Sequence, residues 1–153
     1  MERVDKAVEY FNKDFNCAQS IFTTFSMELG IEEETALKLG TMFGGGARKG
    51  QMCGAVSGAL MVLGLRYGHH HCGNVEERMN AHAIAEEFMN RFISINGTVV
   101  CSELLGYNLS NPEEMKKIRE LGLFKTTCPA MVQSAALILE EMLQELEEQG
   151  ENR

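Results

Sequence analysis

Residues 44–60 read GGGARKGQMCGAVSGAL. Three consecutive glycines and the cations Arg48 and Lys49 predict a loop, after which Cys53 opens a helix reaching about residue 67. That helix is apolar nearly all round, the mark of a segment buried on every side. Its first two turns carry almost no bulk: Gly54, Ala55, Ser57, Gly58 and Ala59. Gly54 and Gly58 are four apart, so they share a face and admit another backbone at close range. An interior glycine costs about 0.5–1 kcal/mol relative to alanine, so two of them indicate a steric demand. A thin central helix of this kind requires other helices around it.

The flanking sequence supplies them. Val4, Ala7, Val8, Phe11 and Phe15 follow the spacing of one helix face. Ala18, Ile21, Phe22, Phe25 and Leu29 repeat it, with Gly30 as a stop. A third helix spans 32–43, with acids in its first turn, where the helix dipole favours them. A long helix is expected over about 75–95, with Met79, His82, Ala83, Phe88, Phe92 and Ile95 inward, and Asn96-Gly97 forms the turn after it. A short helical turn follows Cys101, and Asn111 caps a helix whose first residue is Pro112. The last helix is expected to begin at Cys128-Pro129, with Met131, Ala135, Ile138, Met142 and Leu146 as its buried stripe and a solvated acidic end. No repeat, linker or strand is readable. These elements predict an all-α compact helical bundle of about six to seven helices around the central small-residue helix, forming a single domain over 1–153.

The totals narrow the function. The chain has 153 residues and a formal charge of −8, with an isoelectric point near 5.0. Nucleic acid and anionic membranes need a basic footprint, so neither is an expected partner. No apolar run reaches the length of a membrane span, and the N-terminal MERVDKAVEYF lacks the apolar core of a signal peptide. A cytoplasmic location is therefore expected. No acid–base pair or serine triad is readable, so any chemistry should run through the cysteines.

Five cysteines stand at 17, 53, 72, 101 and 128. No CxxC pair occurs, which leaves out the zinc-ribbon and thioredoxin patterns. Cys17, Cys53, Cys101 and Cys128 all fall at expected helix starts. Cysteine is a poor capping residue, but a helix N-terminus lowers thiol pKa from about 8.5 towards neutrality and suits an anion. Several such N-termini aimed at one place, with Arg48 and Lys49 nearby, are one way an acidic chain could hold a thiolate-ligated centre. Gly54, Ala55 and Gly58 would then be clearance around Cys53. The plainer alternatives are buried cysteines acting as small hydrophobes, and glycines serving ordinary helix packing.

The order Cys17, then Cys53-Gly54-Ala55-Val56-Ser57-Gly58, then Cys101, then Cys128 resembles the C-GCAxxG-C-C family of redox-active proteins. The likeness runs from about Asn16 to Pro129. Met52 stands where the family label has glycine, so the match rests on the CGAxxG form. The resemblance implies an all-helical fold and a redox role for those four cysteines. Cys72 lies outside the pattern. Similar domains joined to cytochrome-like modules imply an iron–sulfur centre.

Four functions follow as expectations. The first is electron transfer through an iron–sulfur cluster ligated by Cys17, Cys53, Cys101 and Cys128. The second is metal-free thiol–disulfide chemistry or redox sensing by the same residues. A structural zinc site and a helical interaction protein with ordinary buried cysteines are the others. Either redox reading implies a redox partner protein or a small-molecule electron carrier, and a homodimer is compatible with all four. His69, His70, His71 and Cys72 form a possible second metal-binding group, although adjacent residues reach one ion with difficulty.

Overall fold

A computed structural model describes residues 2–151. Its described residues form eight α-helices: α1 (Glu2–Asn12), α2 (Cys17–Ser26), α3 (Glu33–Gly40), α4 (Gly54–Tyr67), α5 (Val75–Asn96), α6 (Cys101–Leu105), α7 (Pro112–Glu120) and α8 (Leu123–Glu151). The fold is all-α. The count exceeds six or seven because the five-residue α6 closes as a helix of its own.

The small-residue helix α4 packs most extensively against α2. A Cβ built on Gly58 would lie 2.9 Å from the Ala18 carbonyl oxygen and 3.3 Å from Ala18 Cα. One built on Gly54 would lie 3.0 Å from the Ala18 nitrogen and 3.1 Å from Cys17 Cβ. The two glycines therefore admit the backbone of α2, and Cys17 with it. Behind that contact Ile21, Phe25, Val56, Val62, Phe88, Phe92, Val132 and Leu139 form a continuous core.

The start of α2 is fixed by Asn16. Its side chain accepts the Gln19 N–H at 2.8 Å, and the Gln19 side chain accepts the Asn16 N–H at 2.9 Å, a reciprocal cap. Asn16 also donates to the carbonyls of Gly40 and Thr41 at 3.3 and 3.0 Å, tying α2 to the end of α3.

Two expectations are corrected. The last helix starts at Leu123, immediately after Gly122 at φ 68, rather than at Cys128. Cys128 and Pro129 lie inside it, so Cys128 is no N-cap. Pro129, in the second turn, has no N–H for the Lys125 carbonyl and crowds it with its ring, and the helix runs through it nonetheless. The earlier turn is kept because Leu123 and Phe124 pack on a second core group of Cys101, Leu105, Leu109 and Ile118. On α5, His82 and Ala83 are exposed, as are Met79 and Ile95 at 58% and 67%. The inward face runs instead through Ile84, Phe88, Met89 and Phe92, because α4 and α8 cover only that side of this long helix. No helix among the described residues is long and apolar enough to cross a membrane.

Candidate redox site

Three of the four cysteines do start helices. Cys17 is the first residue of α2, Cys53 directly precedes α4, and Cys101 is the first residue of α6. Cys53 and Cys101 are brought together by a short antiparallel pairing invisible in the helical pattern. Met52 and Val100 face each other across it. The Cys53 N–H donates to the Val99 carbonyl at 2.7 Å, and the Cys101 N–H donates to the Gln51 carbonyl at 2.5 Å. The α2–α4 glycine contact brings Cys17 beside Cys53. Cys128 arrives from α8 and packs against both core groups, at the seam between them.

All four thiols line one cavity of about 570 Å³. Its walls are mostly apolar, including Phe11, Phe15, Leu109 and Phe124, with Arg48 and Lys125 as cations and Asp14 as the one acid. Cys17, Cys53 and Cys101 are buried and Cys128 half-buried; all are free thiols.

The thiols differ in acidity. Hydrogen bonds from Cys17 to Cys128 and to Cys53 hold its proton well above the ordinary thiol range, and burial adds to this. Cys53 moves the other way: the Cys17 contact stabilises its thiolate, and the backbone N–H groups of Ala55 and Val56 at the start of α4 assist against burial. Burial pushes Cys101 up to about 12, reinforced by the charges of Cys53 and Cys128 and opposed by Arg48. The cluster thus favours one thiolate, at Cys53. Ionising all four would need compensating positive charge from outside the chain.

The GGGARKG segment is wound rather than a plain loop. Gly45, Gly46, Ala47 and Arg48 all have left-handed backbone, at φ 65, 61, 55 and 67. The π-type turn over Gly46–Gly50 closes with the Gln51 N–H on the Gly46 carbonyl at 3.1 Å. A Cβ on Gly46 would collide with the Gln51 nitrogen and lie 2.9 Å from Cys101 Cβ. Both Arg48 and Lys49 are exposed, but the turn sets only Arg48 on the cavity lining. Ala55 is buried in the core beneath Cys53. Lys125 takes the part expected of Lys49. Its place was readable only with α8 starting early, since Lys125 and Cys128 then share a face three residues apart.

His69, His70, His71 and Cys72 lie exposed in the α4–α5 connection, with the His70 and His71 rings 3.9 Å apart between centroids. Among the described residues, no group of three or more His, Cys, Asp or Glu side chains could hold a metal ion as placed; this covers the histidine segment and the cavity cysteines alike.

A family model described as "Putative redox-active protein (C_GCAxxG_C_C)" matches residues 15–142. No curated protein and no solved structure matches the chain.

Proposed function

Because the chain belongs to the C_GCAxxG_C_C family of redox-active proteins, we propose that Cys17, Cys53, Cys101 and Cys128 act as one redox centre and ligate an iron–sulfur cluster. The observation that carries this is that four thiols, on α2, just before α4, on α6 and on α8, line a single cavity. An iron–sulfur cluster supplies one-electron transfer and takes thiolate ligands. Such a cluster holds more than one iron, so Cys17, Cys53, Cys101 and Cys128 would not all have to converge on one point to hold it. A single zinc ion does require that convergence, which no three His, Cys, Asp or Glu side chains among the described residues provide.

The chain's own residues suit that load. The Cys17 thiol and, to a smaller degree, the α4 amides lower the Cys53 pKa and so favour its thiolate. Arg48 favours ionisation of Cys101, which burial opposes. Gly46 and Gly54 leave Cys101 and Cys17 without a neighbouring Cβ in their way. Burial covers Cys17, Cys53 and Cys101, and Cys128 is half-covered.

A specific observation also favours thiol–disulfide exchange: Cys17 and Cys53 are neighbours across the α2–α4 contact, and each shifts the acidity of the other, Cys17 upwards and Cys53 downwards. In that reading the Cys53 thiolate attacks a substrate disulfide and expels one substrate thiolate. Cys17 then passes its proton to the thiolate released and attacks the Cys53 sulfur, expelling the second. Two electrons reach the substrate, and a Cys17–Cys53 disulfide remains.

Anaerobic purification followed by a visible spectrum and assays of iron, sulfide and free thiols separates the two. The cluster reading expects iron and sulfide in stoichiometric amount, both lost on Cys53→Ser. Colourless protein that loses two thiols reversibly to a small disulfide supports exchange instead and overturns the cluster.

A further inference from the structure

The cavity is larger than its thiol floor requires. At about 570 Å³ it falls in the range of sites that enclose a small organic molecule. Above the cysteines, Phe11, Phe15, Leu109 and Phe124 offer flat apolar walls. Arg48 and Lys125 are its cations, and neither has an ion-pair partner among the described residues. An unpaired guanidinium beside aromatic walls recognises a planar acid.

The backbone is bent to put that guanidinium there. Ala47 and Arg48 hold left-handed backbone that side chains bearing a Cβ rarely adopt. Gly45 completes the placement: a Cβ there would lie 2.8 Å from Arg48 Nη1 and 2.6 Å from Leu109 Cδ2. The space that glycine leaves is filled by the arginine head and the adjoining leucine wall.

We propose that the cavity binds a flat, apolar small molecule bearing one carboxylate or other single acidic group, with Arg48 as the residue that recognises the acid and Lys125 as a weaker second cation. This rests on the redox reading only in taking the cysteine floor as the reacting end; binding itself does not depend on a cluster.

The probes are 2-naphthoate and its uncharged isostere 2-naphthamide, titrated calorimetrically into the full-length protein. The carboxylate is expected to bind one to one and about ten-fold tighter than the amide, the difference one charged hydrogen bond makes. Arg48→Met should bring the carboxylate down to the amide's affinity and leave the amide unchanged. Lys125→Met should remove a smaller part of the preference. Arg48→Gly guards against a folding artefact. Glycine suits φ 67, so this variant should melt no lower than the wild type while losing the preference. Equal binding of the two probes, no binding of either, or an unchanged preference in Arg48→Gly overturns the proposal. The titration is run alongside the iron and sulfide assays. Cluster present without acid preference defeats this inference alone, and acid preference in colourless protein defeats the cluster alone.

Discussion

At the scale of single residues, the glycines of the CGAVSG segment have a definite steric task. Gly58 faces the Ala18 carbonyl oxygen, a backbone atom that cannot swing away. Gly58→Ala should therefore destabilise the protein by about 1–3 kcal/mol through overpacking, although alanine is the better helix former by about 1 kcal/mol. Urea denaturation settles the sign. A variant as stable as the wild type would mean that α2 can retreat from α4 without loss. Asn16 is the second residue of this kind. It satisfies one orphan amide of α2 and two carbonyls at the end of α3 with one side chain. Asn16→Ala should cost about 1–2 kcal/mol, read in the same denaturation experiment. The glycine role was legible in the sequence because four-residue spacing defines a helix face. The Asn16 role was half-legible: the Asn-x-x-Gln order was there, but its partners at Gly40 and Thr41 are far along the chain.

At the scale of elements, the left-handed turn and the Met52–Val100 pairing set where Cys101 stands. Gly46 is wedged between the Gln51 backbone and Cys101 at φ 61. Gly46→Ala meets both a collision and an unfavourable backbone region, each about 1–3 kcal/mol by precedent. A loss of roughly 2 kcal/mol or more in unfolding free energy is expected, together with reduced iron content in protein purified anaerobically. Full iron and unaltered stability would show that the turn is dispensable to the Cys101 position. Sequence periodicity could not reveal this element. Its residues repeat on neither the helical nor the strand period, and three glycines in a row are equally at home in a plain loop. Pro129 misled for the converse reason. Proline marks a favoured first helical position, yet one lost bond is tolerated where Leu123 and Phe124 gain burial on Ile118 and Leu105.

At the scale of the whole molecule, the thiol acidities link pH to folding. In the reduced, metal-free chain, Cys101 is pushed from 9.0 up to about 12, and Cys17 shifts the same way. The folded state then holds protons that the unfolded chain releases, so stability present below pH 9 declines as pH rises towards about 12. Tyr10 and Tyr67 titrate in the same sense, so the informative quantity is the difference between the wild type and Cys101→Ala. That difference should shrink with pH across this window in denaturation measured under reducing, metal-free conditions. A constant difference would show that the Cys101 proton is not held by the fold. The sequence by itself determined that the chain is all-helical, that α4 is the thin helix at its centre, and which four cysteines follow the family's pattern. Those properties follow from local period, residue volume and the order of motifs along the chain. Only the tertiary structure decided that the four thiols meet at one cavity, that Cys128 arrives from inside a helix, and that Lys125 rather than Lys49 joins Arg48 there. Each of those depends on contacts between segments far apart in sequence, whose geometry is set by how the helices pack and not by any one of them.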